Sequence, residues 1–207
     1  MKIRFTINQK DLDKEIKSSM SKRANKTNLK NNLKNESGKL IYKKFELEKK
    51  RMISDFLKLP VTKELLAGPR AQNISGTLGG YGNLFTFMGF EAGADPISPI
   101  ISLLEKTQIN FNNLTSRGTT RIRVEMPSAR DIFDVTPLPW ATGISWARGI
   151  EVGMPGLGQY MNKYSIFSRS GMGIQSNNKL RPGGFSNTAY ISKFIKDWQR
   201  QFLKIYK

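Results

Sequence analysis

The chain contains neither cysteine nor histidine among its 207 residues. Without cysteine it can form no disulfide, no thiolate nucleophile and no cysteine zinc site. Without histidine, Ser-His-Asp and Cys-His triads, HExxH zinc sites and histidine acid–base catalysis are excluded. The remaining residue types with chemistry form no catalytic pattern. We therefore predict that the protein is not an enzyme and that it has no catalytic residue, no metal site and no cofactor.

Long apolar runs are also missing from the sequence. No stretch approaches the roughly 18 consecutive apolar residues that a transmembrane helix needs. The opening residues, MKIRFTINQKD, lack the apolar segment of a signal peptide. The sequence therefore predicts a soluble protein that is not secreted by that route and has no membrane partner.

What the sequence has in excess is positive charge. Its formal net charge at pH 7 is +18, and the first third is rich in lysine whereas arginine dominates later. Such an excess favours an anionic partner, namely nucleic acid, a membrane surface or an acidic protein face. The alternative is a solvated lysine surface that reflects only the codon usage of an AT-rich genome.

The N-terminal third predicts a strand, an arm and a helix. Residues 2–7 alternate between apolar and polar, which is typical of a half-buried strand. Residues 21–39 are rich in Asn and Lys and predict either an exposed arm, ordered or without fixed structure, or a long linker. From Ser37 to Leu57, apolar residues recur at helical spacing until Pro60 ends the pattern: Leu40, Ile41, Phe45, Met52, Ile53 and Phe56. We accordingly divide the chain into a basic strand and arm (1–37) and one domain (38–207).

The stretch from Asn73 to Pro96 is the richest in glycine, but it matches no phosphate-binding loop. No Gly-Lys-Ser/Thr follows, and Phe85 stands where a dinucleotide loop needs its third glycine. Residues 84–90, LFTFMGF, instead predict a buried strand that is either central in the sheet or covered by another subunit. A short helix capped by Thr62 is predicted before this stretch, and a helix starting at Pro96 and capped by Asp95 after it.

The second half predicts further strands and a final helix. Residues 120–127 predict the clearest strand in the chain, and Ser128 with Asp131 predicts a capping box. Strands are also predicted over 143–153 and 165–175, and a turn over 177–187. Ser186 or Asn187 is expected to cap a C-terminal helix with one apolar stripe, made of Ile191, Phe194, Ile195, Trp198, Phe202 and Ile205. The predicted fold class is α+β, a mostly antiparallel sheet packed by the long amphipathic helix and the C-terminal helix.

Two sets of charged residues are candidates for binding. The carboxylate pairs Glu91–Asp95 and Asp131–Asp134 have the chemistry for a hard cation, but capping and surface charge account for them. Basic residues near aromatic ones favour phosphate contact without sequence-specific readout. The candidate nucleic-acid or partner contacts are Lys22, Arg23, Lys26, Lys30, Lys34, Arg121 and Arg123.

The order of features resembles a known family. A basic amphipathic helix leads into a Pro/Gly-punctuated loop, NISGTLGG, and then to a sheet that includes Glu151 to Gly153. An Arg-Pro turn, Arg181-Pro182 with Phe185, precedes the last helix. This order resembles the neck and tail-completion proteins of tailed bacteriophages, over residues 38–207. The chain departs from that pattern in lacking Asp-Thr-Gly and in carrying the basic arm and the helix after Pro96.

The resemblance implies a structural virion protein, assembled in the host cytoplasm, that forms a homo-oligomeric ring at the head–tail junction around the DNA channel. The implied partners are other virion proteins, such as the portal, an adaptor, the tail tube or a tail terminator, with possible non-specific DNA contact. The alternative interpretation is a basic nucleic-acid-binding protein without sequence specificity, and an enzyme such as a carboxylate-metal nuclease ranks third.

Overall fold

The computed structural model describes residues 2–8, 26–78, 83–112, 119–139, 141–153, 160–162, 173–175 and 186–205. In chain order the elements are β1 (Lys2–Asn8), α1 (Lys26–Lys58), α2 (Pro60–Leu66), a 3-10 turn (Gly68–Arg70), α3 (Leu84–Phe87), α4 (Ser98–Glu105), β2 (Gln108–Asn112), β3 (Thr119–Glu125), α5 (Ala129–Asp134), β4 (Pro137–Leu138), β5 (Ala141–Ser145), α6 (Trp146–Val152), β6 (Tyr160–Asn162), β7 (Gly173–Gln175) and α7 (Ile191–Ile205). Helices thus combine with small antiparallel sheets, and the predicted α+β class is confirmed.

The chain divides into two compact units, each built from separated segments. The first contains Met1–Met52, Thr107–Met126 and Trp198–Lys207, and the second contains Ile53–Lys106 and Pro127–Asp197. The boundary that composition predicts after residue 37 falls inside the first unit. Each unit has its own set of buried apolar side chains.

The first unit contains a three-stranded antiparallel sheet in the order β1-β3-β2. The predicted strands over 2–7 and 120–127 are both present, as β1 and β3. In the register, Ile3 and Ile109 lie opposite Val124 on either side. Ile109, Ile122 and Val124 are buried, so this face of the sheet belongs to the core. The same unit buries Phe45 and Phe202, whose ring centroids lie 5.9 Å apart.

Helix α1 is longer than predicted, because it begins at Lys26 and not at Ser37. Residues 26–39, for which the sequence predicts an arm or linker, belong to this helix. Ile41, Phe45 and Met52 are buried as expected, but Leu40 is 51% exposed although the sequence placed it in the buried stripe.

The second unit buries an aromatic cluster. The ring of Trp146 meets that of Phe90 at 5.9 Å, edge to face, and that of Tyr190 at 6.4 Å. Tyr190 also stacks with Phe56 and exchanges a buried hydrogen bond of 2.8 Å with Thr62. Burial raises the pKa of Tyr190, so its hydroxyl is a neutral structural group. Thr62 does not cap α2 as predicted, since the helix starts at Pro60.

Two predicted strands of the second unit are short helices. Leu84–Phe87 forms α3 because Asn83 caps it, with its side-chain oxygen accepting from the backbone N–H of Thr86. The strand predicted over 143–153 stops at Ser145, which caps α6 by accepting from the backbone N–H of Arg148. The buried residues of α6 include Trp146, Ala147 and Ile150. The apolar residues of these two segments fit the spacing of a helix as well as that of a strand. The side-chain caps at Asn83 and Ser145 therefore determine that both segments are helical.

Both remaining helix starts also differ from expectation. Helix α4 begins at Ser98, two residues after Pro96, although Asp95 does accept hydrogen bonds from the backbone N–H groups of Ile97 and Ser98. Helix α7 begins at Ile191 and not after Ser186 or Asn187. The predicted strand over 165–175 lies outside the described residues except for β7. The predicted turn over 177–187 lies outside them except for residues 186–187.

Candidate functional sites

The sheet of the first unit has a polar face that carries arginine. Residues directly opposite each other in an antiparallel pair share a face. Arg123 on the central strand pairs with Arg4 on β1 and with Asn110 on β2. Arg121 pairs with Thr6 and, being two residues from Arg123, belongs to the same face. We call the set Arg4, Arg121 and Arg123 the arginine face.

The arginine face concentrates like charge. Arg4 and Arg123 occupy directly opposed positions, where like charges destabilise a sheet unless an anion compensates them. Within the described residues, the Nε atom of Arg123 is shielded from solvent and has no hydrogen-bond partner. A donor of this kind calls for a counter-group. This arrangement suits an incoming oxyanion.

One end of the same face is different. Glu125 pairs with Lys2 and with Gln108, and the amide of Gln108 donates a 3.4 Å hydrogen bond to the Glu125 carboxylate. Gln108 and Asn110 are exposed. The positive charge of this face therefore lies toward Arg4, Arg121 and Arg123, with neutral hydrogen-bonding side chains of β2 beside it.

The predicted contact residues fall into separate places. Arg121 and Arg123 share the arginine face, which also gains Arg4, a residue that the sequence placed on a polar strand face but did not single out. Lys26, Lys30 and Lys34 lie at four-residue spacing in the first part of α1, and hence on one side of that helix. Lys22 and Arg23 lie outside the described residues.

A second candidate is a cleft of about 640 Å³ in the second unit, between α5, the β4–β5 pair and the start of α6. Arg130 and Arg148 are exposed at it, and neither makes an ion pair within the described part of the chain. A 2.7 Å hydrogen bond between the hydroxyls of Thr136 and Ser145 ties the strand pair to the turn after α5. The cleft is lined by Arg130, Phe133, Asp134, Pro137, Gly143, Ile144, Ser145 and Arg148.

One carboxylate of each predicted pair, Asp131 or Asp95, caps a chain turn or helix start. Hydrogen bonds from the backbone and hydroxyl of Ser128 lower the pKa of Asp131 and complete the predicted capping box. The hydroxyl and backbone N–H of Ser98 lower the pKa of Asp95 in the same way. In the parts of the chain that the structure describes, no three carboxylates come together as a metal site.

A buried carboxylate has a structural task. Glu64 is fully buried, and it accepts hydrogen bonds from the backbone N–H of Ser75 at 2.9 Å and of Leu84 at 2.7 Å. It thereby links Ser75 and Leu84, which lie before and after the glycines of residues 76–82, to α2. Each carboxylate oxygen of Glu64 already accepts a hydrogen bond from a backbone N–H group, so we assign this residue no binding role.

No protein-family model, curated protein or solved structure matches this chain. Among the helices of the described residues, none is long and apolar enough to cross a membrane.

Proposed function

We propose that this chain is a structural, non-catalytic virion protein of a tailed bacteriophage, a neck or tail-completion component at the head–tail junction that contacts DNA without sequence specificity. The observation that carries the proposal is the arginine face, where Arg4 and Arg123 oppose each other beside Arg121. Phosphate groups are the natural partners of such a surface, because guanidinium groups bind them in bidentate fashion.

Two further features support a structural role. A chain without histidine and cysteine lacks the commonest acid–base side chain and the thiolate nucleophile. In the described structure α1 precedes the glycine-rich stretch, strands β2 to β7 follow it and α7 is the last helix, an order compatible with the resemblance. One motif of that resemblance changes its setting, because Glu151–Gly153 ends α6 and not a strand. Arg181, Pro182 and Phe185 lie outside the described residues.

In this role the chain would form a homo-oligomeric ring, assembled in the host cytoplasm, with the portal, an adaptor, the tail tube or a tail terminator as neighbours. The second candidate, a nucleic-acid-binding protein that acts outside a virion, uses the same arginine face. The two differ in their protein partners, so they require two measurements.

The first measurement is DNA affinity as a function of salt concentration. Replacing Arg121 and Arg123 with alanine removes two phosphate contacts, so the slope of log K against log salt should become less steep by roughly 2. The matched control replaces the exposed Lys63 and Arg70 with alanine and should leave the slope unchanged. Equal slopes for both variants would contradict DNA contact through the arginine face.

The second measurement is assembly. Light scattering at low and high salt, with and without purified portal or tail tubes, reports whether the protein forms a ring on those structures. Assembly that survives high salt supports the virion role. If the protein does not bind these structures but binds DNA tightly at low salt, the result supports the second candidate instead.

A further inference from the structure

Helix α1 carries a second apolar row that lies away from the core. Leu40 and Leu47 are 51% and 61% exposed, whereas Ile41, Phe45 and Met52 of the same helix are buried. Residues seven apart differ by only about 20° around a helix, so the two leucines share one side, about 10 Å apart along the axis. Cations surround them, and together they form what we call the leucine–lysine strip: Leu40, Lys43, Lys44, Leu47, Lys50 and Arg51.

The strip follows the heptad pattern of a helix-pairing surface. With Leu40 and Leu47 at the first core position, Lys43 and Lys50 fall three residues later, at the second. Leu33 stands seven residues before Leu40, but Glu36 occupies the second core position of that heptad, so the pairing of leucine with lysine begins at Leu40. A row with this seven-residue period fits another helix better than it fits a strand, in which side chains repeat every two residues.

All charged residues of the strip are cations, and Glu46 lies outside it, three residues after Lys43 and four before Lys50. The side chains of Lys43 and Lys50 are exposed and make no hydrogen bond or ion pair to other described residues. Arg51 is 3.9 Å from the Glu48 carboxylate, and the Lys44 ammonium donates to the Ile205 carbonyl at 3.5 Å. The two cations at the second core position are thus the ones without partners in the described structure.

From the two exposed leucines and the two free lysines we infer that the leucine–lysine strip docks an acidic amphipathic helix of a partner protein, with leucines against Leu40 and Leu47 and carboxylates against Lys43 and Lys50. Charge complementarity selects this occupant. A second copy of the chain would bring cations against cations, and the repulsion of like charges disfavours it. The inference goes beyond the proposed function and depends on none of the arginine-face residues.

The test uses the full chain and a defined probe, a synthetic peptide of Leu-Glu-Ala-Leu-Glu-Ala-Glu heptads. Its control is the same peptide with lysine in place of every glutamate. Binding is measured by fluorescence anisotropy for the wild type, for Leu40→Ser with Leu47→Ser, and for Lys43→Glu with Lys50→Glu. The matched control for lost apolar surface is Leu66→Ser with Ile74→Ser, two side chains that are 51% and 53% exposed elsewhere in the chain.

The wild type and the Leu66/Ile74 control should bind the acidic peptide alike. The serine pair should weaken binding at least about tenfold. Half or more of each leucine side chain is exposed in the free protein, and serine removes the apolar surface that binding would bury there. The glutamate pair should bind the lysine peptide in preference to the acidic one. This reversal needs a folded helix, so it distinguishes recognition from unfolding.

Three results would overturn the inference. They are equal affinity for both peptides in the wild type, self-association that the serine pair abolishes, and binding only to phosphatidylserine vesicles with no preference between the peptides. The second result would assign the strip to another copy of this chain, and the third to a lipid surface.

Discussion

Glu151 caps helix α7 by holding Ser192 at two points. The Ser192 backbone N–H donates to one carboxylate oxygen and its hydroxyl to the other, both at 2.6 Å. Glu151 lies in the last turn of α6, so a residue far away in sequence satisfies an N–H group that the start of α7 would otherwise leave free. The cap also places negative charge at the positive end of the helix dipole.

We expect Glu151→Gln to lower the free energy of unfolding by about 1 kcal/mol, in the range of other lost helix caps. The amide retains one acceptor oxygen but turns an NH₂ group toward a donor. Urea denaturation followed by circular dichroism measures the change. Glu91→Gln, at an exposed carboxylate of a loop, is the control; equal losses in both variants would show that the cap contributes nothing.

A larger loss is expected for Glu64→Gln, because this side chain is fully buried. One of its two backbone donors, Ser75 or Leu84, would face an NH₂ group in place of an oxygen. An unsatisfied buried donor costs roughly 1–3 kcal/mol. Amide hydrogen exchange of Ser75 and Leu84 locates the effect, and unchanged protection at both amides would contradict it.

Asn83→Asp should destabilise the second unit in a pH-dependent way. The Asn83 amide donates to the carbonyls of Pro69 at 2.9 Å and Ala71 at 3.0 Å, and a carboxylate of the same shape would face these oxygens without a proton. Repulsion and burial should raise the pKa of the new aspartate in the folded state.

The sign of this pH effect follows from linkage. A group whose pKa is raised on folding favours the folded state only while it is protonated. The Asn83→Asp variant should therefore be least stable at neutral pH and recover as the pH falls through the raised pKa. Thermal unfolding at a series of pH values tests this, with wild type as the reference; a constant difference in stability across the range would refute the prediction.

Ser128→Ala should raise the pKa of Asp131 only part of the way toward 3.8, its ordinary value, because it removes the hydroxyl hydrogen bond but keeps the backbone N–H of residue 128, which is the larger cause of the lowered pKa. A carboxyl whose pKa is lowered on folding stabilises the protein above its ordinary pKa. That contribution disappears as the pH falls through the lowered value.

NMR titration of the aspartate side chains measures both pKa values directly. In the Ser128→Ala variant Asp95 should keep its lowered pKa, because Ser98 and not Ser128 holds it. A parallel rise at Asp95 would point to a general loss of structure.

Sequence alone predicted elements whose signal is contained in one continuous stretch of the chain. The stripe of α7 and the capping box at Ser128 are examples, since each is contained within a few turns of chain. It was wrong over Leu84–Phe87 and over Trp146–Val152, where short apolar runs suit a strand or a buried helix equally well. Asn83 and Ser145, each just before its helix, are the cap signals that would have decided both.

The arginine face shows the other limit of sequence reasoning. Arg121 and Arg123 lie on one predicted strand, and the alternation of side chains along a strand is enough to place both on one face. The pairing of Arg4 with Arg123 depends on a register between the first and the central strand, which lie far apart in sequence. Periodicity carries no information about such a partner.

The order β1-β3-β2 has a consequence for synthesis of the chain. β1 leaves the ribosome before β3, the strand with which it pairs in the described structure, so it stays unpaired until the chain has been made as far as Glu125. Distant pairings of this kind form slowly, and an unpaired strand is exposed to wrong partners in the meantime. We expect β1, although made before β3, to be among the last elements to reach its place during folding.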